Sequence, residues 1–329
     1  MIITRTPFRL SFLGGGTDYP TWCNEHGGAV LSVTIDKYCY IMCRYLLPFL
    51  GYKYNIRYRI KEIVDNVDDI RHPTVRESLK FIDVKRGIEM VHTADLPARS
   101  GVGSSSSFTV GFIHALNALK GNLITKRKLA LDAIHVEQDL MKENVGYQDQ
   151  AAASFGGFNK IEFGGPNKIR VNPITLKNDD AKILEKNLML FYTGITRTAS
   201  EIVGTYIKDL GNRHNELTTM HQLVDDAILL LQKKDFDKFG SLLHEGWKLK
   251  KGMADIITNS TIDDMYDKAM NAGALGGKIC GAGAGGFLLL YVPQERQEKV
   301  KEVLKNLLHV PILFDYLGSQ IILYNVKDF

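Results

Sequence analysis

Three features of this chain have residue types and spacings suited to chemistry: glycine-rich turns, a carboxylate on an apolar helix face, and an aspartate set between glutamines. The segment "ARSGVGSSSSFTVGFIHALNAL", Ala98 to Leu119, places two glycines and four consecutive serines just ahead of an amphipathic pattern. Phe108, Phe112, Ala115/Leu116 and Leu119 recur at the spacing of a buried helical face, so the turn runs into a helix N-terminus. The first N–H groups of a helix lack intrahelical partners. With the positive end of the helix dipole they make an anion site, and glycine lets a ligand approach the backbone. Serine hydroxyls add donors for phosphate oxygens or a ligand for Mg²⁺. The competing reading is a simple serine N-cap, which needs one serine rather than four.

The misplaced carboxylate is Glu137. In "KLALDAIHVEQDLM", at about 100° of rotation per residue, Leu129, Ala130, Ala133, Ile134, Val136, Leu140 and Met141 share an arc of roughly 160°. Glu137 falls near its middle, while Asp132, His135, Gln138, Asp139 and Lys142 lie opposite. A buried carboxylate needs a cation or strong donors. A structural pair with Arg or Lys meets that need, and so does Mg²⁺, which takes one or two carboxylates plus phosphate oxygens. An anion-binding turn and a buried carboxylate together suit a magnesium nucleotide. Asp149, in "VGYQDQAAASF", reads either as a helix N-cap or as the carboxylate that accepts an alcohol proton during phosphoryl transfer.

Two further glycine-rich segments are "FLGGGTDYP" (12–20) and "GAGAGG" (281–286), and no GxxxxGK[ST] loop occurs anywhere. The second fits GxGxxG at Gly281, Gly283 and Gly286. Its predicted context, a helix before and the strand "FLLLYV" after, reverses that of a dinucleotide fingerprint. It reads as a close-packed helix-to-strand turn, or as a backbone loop abutting the phosphate loop from a second domain.

The elements that must position these residues come in two sets. "IITRTPFRLSFL", "AVLSVTIDKYCYIMCRYL", "YNIRYRI" and "GIEMVHTAD" read as strands, with helices predicted near 75–86, 105–119 and 126–142 and a hairpin turning at Gly164–Pro166. A polar stretch near Leu176–Asp180 marks the crossover, which predicts domains 1–176 and 177–329. The second set begins with the strand "NLMLFYTG". Helices follow near 198–209, 213–233, 235–251, 262–272 and 294–308, and then the strand "GSQIILYNV". No repeat or low-complexity tract interrupts either set, so two layered α/β-type domains are expected.

With 329 residues, 41 basic and 37 acidic, the chain carries only +4, too little to imply nucleic acid. No apolar run reaches membrane-spanning length, and the N-terminus lacks a signal-peptide core. Cys23, Cys39, Cys43 and Cys280 form no CxxC or zinc-like pattern, which suits reduced thiols in a cytoplasmic protein.

The ordered motifs "TPFRLSFLGGGTDYP", "DLPARSGVGSSSS" and "KICGAGAGGFLLL", together with "VGYQDQ", resemble the GHMP kinase superfamily from Thr6 to about Leu290. The resemblance implies an α+β fold: an N-terminal domain like ribosomal protein S5 domain 2 and a ferredoxin-like C-terminal domain, with ATP between them. It places Gly101, Val102, Gly103, Ser104, Ser105 and Ser106 on the ATP phosphates, and Ser105 and Glu137 on Mg²⁺. Asp149 matches the base and Arg9 an arginine beside it. Gly15, Gly16, Thr17 and Asp18 match the substrate loop, and Gly283 belongs to the segment that closes the site. "FRLSFLGGGTDYP" in place of the galactokinase "GEHTDY", with "YTGITRTASEIV", is similar to the heptose 7-phosphate kinase branch, and the fucokinase kinase domain is a relative. The implied reaction is ATP-dependent phosphorylation of the anomeric hydroxyl of a sugar phosphate, for nucleotide-activated heptose. Arg197 is the candidate clamp for the sugar's own phosphate, with Arg99 an alternative, and 61–73 is a loop near the nucleotide. The partners implied are a sugar phosphate and ATP, with no nucleic acid or membrane, and a homodimer. The alternatives are a kinase of an unphosphorylated sugar, a non-catalytic regulatory member of the fold, and a related decarboxylase.

Overall fold

The computed structural model of the chain describes residues 1–165, 169–195, 204 and 207–326. Two β-rich segments at the start build its frame. β1 (Ile2–Leu13) and β2 (Gly28–Tyr45) are rich in β-branched and aromatic residues and pair antiparallel from Ile2↔Cys43 to Leu13↔Leu31. At 18 residues, β2 is long enough to serve several partners. Its C-terminal half pairs with β5 (Ile88–Ala94) and its N-terminal half with β6 (Phe158–Phe163). β3 (Tyr54–Arg57) runs parallel to β5 and antiparallel to β4 (Lys61–Val64), while β7 (Ile169–Pro173) pairs back on β6.

The helices α1 (Pro20–His26), α2 (Pro73–Phe81), α3 (Ser104–Leu119), α4 (Lys126–Ile134) and α5 (Gln148–Phe155) belong to this part. α3 packs on β1 and β2 and is buried almost throughout, which explains why its sequence is apolar beyond a single stripe.

The second part holds α6 (Asn178–Asn187), β8 (Leu188–Tyr192), α7 (His214–Gln232), α8 (Phe236–Lys251), α9 (Ser260–Asn271), β9 (Gly276–Ile279), β10 (Phe287–Tyr291), α10 (Gln297–Val303) and β11 (Leu308–Val310). Its sheet has the antiparallel order β11-β8-β10-β9. Phe12, at the end of β1, stands edge-on to Phe158 of the first sheet at 5.7 Å and to Phe239 of α8 at 5.4 Å, so both parts share one apolar cluster.

Several expectations change. The polar stretch taken as a crossover opens α6, whose Ala181 and Leu184 are buried among charged neighbours. The helix expected at 294–308 is limited to α10, and β11 follows it. The helix expected at 198–209 lies mostly outside the described residues. The tail does not stay with the second part: β12 (Phe314–Asp315) pairs with β2, and β13 (Gln320–Tyr324) pairs with β1. An open β1 edge would leave a row of unpaired backbone groups, and β13 covers it. Nine strands among the described residues thus form the first sheet, and β12 and β13, which lie within the expected second domain 177–329, are two of them. No helix among the described residues is long and apolar enough to cross a membrane.

The two parts meet backbone to backbone at Gly101 and Gly281. A Cβ on Gly281 would lie 2.6 Å from Gly101 Cα, and its φ of +70° favours glycine. Gly281→Ala should therefore lower the melting temperature by about 5 °C, from about 1–3 kcal/mol of strain, and weaken ATP affinity. Scanning calorimetry with nucleotide titration checks both.

Candidate active site

The four serines of the opening segment have four different environments. The N-cap of α3 is Gly103 in a left-handed conformation, and no side chain caps the helix, so the simple capping reading falls. Ser104 Oγ accepts the backbone N–H of Arg99 at 3.2 Å and folds the turn on itself. Ser107 Oγ donates to Pro7 O at 2.9 Å and ties the helix to β1. Ser106 Oγ donates to Glu137 Oε2 at 2.9 Å. Ser105 is exposed at the helix entrance. Ser106, not Ser105, is the serine that bonds Glu137 directly, because one residue along a helix turns the side chain by about 100°.

Glu137 is 2% exposed, as its place on the apolar arc requires. The predicted helix 126–142 is not uniform, however. α4 ends at Ile134, and a π-helical turn spans His135–Leu140, with Met141 N–H donating to Val136 O at 2.9 Å. Such turns are frequent at functional sites. Asp132, expected on the outer face, is buried too and is neutralised by Lys128 at 2.6 Å. Among the described residues Glu137 has no such cation. Gln150 Nε2 and Ser106 donate to its Oε2, while its Oε1 is buried without a partner among them. Burial therefore pushes its carboxyl up from 4.5 to about 7, against the donors Thr109, Gln150 and Ser106 and reinforced by the Asp149 charge.

Arg9 of β1 links the remaining parts. Its Nε and Nη2 donate to the two Asp149 oxygens at 2.7 and 2.8 Å, and its Nη1 donates to Gly101 O at 2.6 Å. Burial works against the Arg9 charge, but the Asp149 carboxylate outweighs it and holds the guanidinium above its ordinary range. Asp149 lies in the first turn of α5, whose N-cap is Tyr147, so its carboxylate is not a cap. Its side chain stays 26% exposed while Arg9 is buried, leaving the carboxylate reachable from solvent.

Asp18 is 1% exposed, accepting N–H groups of Gly16 at 3.1 Å and Gln148 at 3.4 Å. Burial raises its pKa; these N–H groups oppose that, and the Asp149 charge adds to it. Gly15 and Gly16 shape the loop between Arg9 and Asp18. Thr17, expected among the substrate contacts, is fully buried. Its hydroxyl donates to Gly14 O at 2.8 Å and accepts from Ala29 N at 3.1 Å, so it holds the loop instead.

The "GAGAGG" segment joins strands β9 and β10, not a helix to a strand as expected. It abuts the phosphate turn from the second part: Phe287 N–H donates to Ser100 O at 3.2 Å. Gly283 packs on Ile257. Arg197 lies outside the described residues. Val102, fully buried, anchors the turn by accepting Arg9 N–H at 3.0 Å.

Two site residues escaped the sequence reading. Lys250, at the end of α8, donates to Gly281 O, and Lys278 of β9 donates to Phe12 O at 3.2 Å. Their only sequence signal is position: Lys278 stands three residues before the glycine-rich segment and Lys250 falls in a basic helix end.

Residues 69–157 match the GHMP kinases N terminal domain, and residues 227–310 match the GHMP kinases C terminal domain. The chain belongs to the GHMP kinases. It is 33% identical to the D-glycero-alpha-D-manno-heptose 7-phosphate kinase of Campylobacter jejuni subsp. jejuni, over 93% of this chain and 94% of that protein. A solved putative sugar kinase from Campylobacter jejuni matches at a TM-score of 0.75 and 27% identity, over 98% of each chain. A D-glycero-D-manno-heptose 1-phosphate kinase from Bacteriodes thetaiotaomicron shares the fold at a TM-score of 0.79 and 24% identity, over 100% of each chain. This GHMP protein is a sugar kinase that uses ATP.

The buried Glu137 charge sets a pH-dependent stability. Its folded pKa of about 7 exceeds the ordinary 4.5, so its favourable term is present below about 4.5 and lost as pH rises through 7. Glu137→Gln should stabilise the metal-free protein by about 1–3 kcal/mol at pH 8 and much less at pH 5. Magnesium-dependent turnover should be lost. Melting curves at both pH values and a turnover assay check this.

Proposed function

We propose that this GHMP kinase transfers the γ-phosphoryl group of ATP to the anomeric hydroxyl of D-glycero-D-manno-heptose 7-phosphate, giving the 1,7-bisphosphate and ADP. The observation that carries this reading is Asp149, partly exposed and gripped by Arg9 beside the Gly101 turn. The relative at 33% identity supports the choice of sugar.

In this reading Asp149 accepts the proton of the C1 hydroxyl as its oxygen bonds to the γ-phosphorus and the bond to ADP breaks. Arg9 fixes the carboxylate orientation through two hydrogen bonds and offsets charge building near Gly101. The free N–H groups at the start of α3 receive phosphate oxygens. Asp18 orders the Gly15–Gly16 loop by accepting the Gly16 N–H, and in this reading the loop carries the sugar contacts.

Mg²⁺ fits the orphaned Glu137 Oε1, with the Ser106 hydroxyl beside it and Ser105 exposed at the same helix entrance. No group of three or more His, Cys, Asp or Glu among the described residues is arranged for a metal. That suits an ion completing its shell with phosphate oxygens and water. Bound there, it would neutralise charge on the phosphates of ATP. The cleft of about 600 Å³ lined by Ile60, Glu62, Val64, Asn66 and Arg71 is our candidate for the nucleotide's base and ribose. His72, at the end of that segment, stacks on Phe108 of α3 and sets the cleft beside the phosphate turn.

A panel of heptose 7-phosphate, free heptose, fucose and galactose, read by ATP consumption, tests the reading. Heptose 7-phosphate should lead in kcat/KM by about 100-fold or more. Fucose in the lead would move the protein to the free-sugar branch, and no consumption on any sugar would make it a regulatory member. Asp149→Ala should lower kcat by about 10³-fold with ATP affinity nearly unchanged. Near-parental turnover would remove Asp149 as the base.

A further inference from the structure

The mechanism above leaves two buried ammonium groups unused. Lys250 and Lys278 are only 7% and 5% exposed, yet neither has an ion-pair partner among the described residues. Each ammonium has three donors and finds one protein acceptor in the structure: Gly281 O for Lys250 and Phe12 O for Lys278. A buried, unpaired cation is among the most costly groups a fold can hold. Here two of them border the same cavity, of about 10 Å³, beneath the Gly14–Gly15 backbone. That is the room of about one water probe.

The surrounding charges explain what is missing. The charged groups that act on the two lysines are Arg9, Asp18 and Asp149, together with each other and the Cys280 thiol. Arg9 is already paired with Asp149. Asp18 is left alone against two ammonium groups, and its oxygens accept backbone N–H groups. Burial, with Arg9 next for Lys250 and Lys250 next for Lys278, pushes the two lysines down to about 8 and about 7. The site is short of negative charge. The acceptor carbonyl of Lys250 belongs to Gly281, which touches Gly101 of the phosphate turn, and that of Lys278 belongs to the strand leading into the substrate loop.

We infer that Lys250 and Lys278 form a phosphoryl-binding subsite between the phosphate turn and the Gly14–Gly16 loop. Its ligand is a phosphate group, arriving either as the γ-phosphoryl of ATP or as the phosphate the sugar already carries. The second source rests on the proposed heptose 7-phosphate substrate, whereas the subsite itself does not. The closed cavity has room for about one water, so a phosphate group requires the Gly14–Gly15 backbone to move outward.

Inorganic phosphate is the probe, titrated by calorimetry into the protein saturated with Mg·ADP and, separately, with Mg·AMPPNP. Lys250→Met and Lys278→Met replace a buried charge by an apolar chain of similar length and should keep or raise the melting temperature. In the Mg·ADP complex each variant should bind phosphate at least 10-fold more weakly than the parent. Phosphate binding that persists under Mg·AMPPNP assigns the subsite to the sugar's phosphate; binding that vanishes assigns it to the γ-phosphoryl. Either result supports the subsite. Folded variants that bind phosphate as the parent does would overturn it, and so would a parent that binds none in either complex. None of these readouts uses heptose, so a failed sugar panel leaves the outcome intact.

Discussion

The Arg9 guanidinium is the group on which the rest of the site depends. It lies on β1, yet it bonds the carboxylate on α5 and a carbonyl of the phosphate turn, residues 140 and 92 positions away in the chain. A planar fork with five donors suits this task, because two parallel bonds fix Asp149 while a third reaches Gly101. Removing Arg9 would leave a carboxylate without a counter-charge and a turn without its anchor. The long β2 strand matters for the same reason. By pairing with β1, β5 and β6 it holds the Arg9 strand at a fixed depth beneath the phosphate turn.

The second part contributes backbone more than side chains. Gly281 meets Gly101, and Phe287 N–H reaches Ser100 O. Contacts of this kind tolerate no Cβ, so the glycine-rich segment is a packing surface as well as a flexible one. The tail strengthens the arrangement, since β12 and β13 return to β2 and β1 and clasp the second part to the first.

Much of this was legible in the sequence. The phosphate turn, Glu137 on an apolar arc and Asp149 all stood out because each broke a local pattern: glycine and serine at a helix start, or charge where apolar residues belong. Assignments at one-residue precision were less secure. That Ser106 bonds Glu137 depends on where α3 begins and on a π-helical turn, and periodicity fixes neither. Thr17 looked like a ligand residue because hydroxyls serve loops and ligands alike. Its partners are Gly14, three residues earlier in the same loop, and Ala29, on the strand that follows. Lys250 and Lys278 were invisible for a different reason: a lysine in a sequence reads as solvated, and only tertiary packing buries it. The return of the tail to β1 is a long-range pairing that local pattern does not encode.

The site thus holds charge that the folded chain alone does not balance. Glu137 keeps one buried oxygen without a donor, and two lysines keep ammonium groups without a carboxylate. The signs are opposite and the places distinct: the carboxylate lies behind the phosphate turn, and the lysines lie under the substrate loop. A cation is wanted on one side and an anion on the other. Burial raises the Glu137 pKa and lowers those of both lysines, so each group is biased toward neutrality until a ligand arrives. Binding then restores the charge that burial suppressed. Under the two proposals above, a metal ion meets the first deficit and a phosphate group the second.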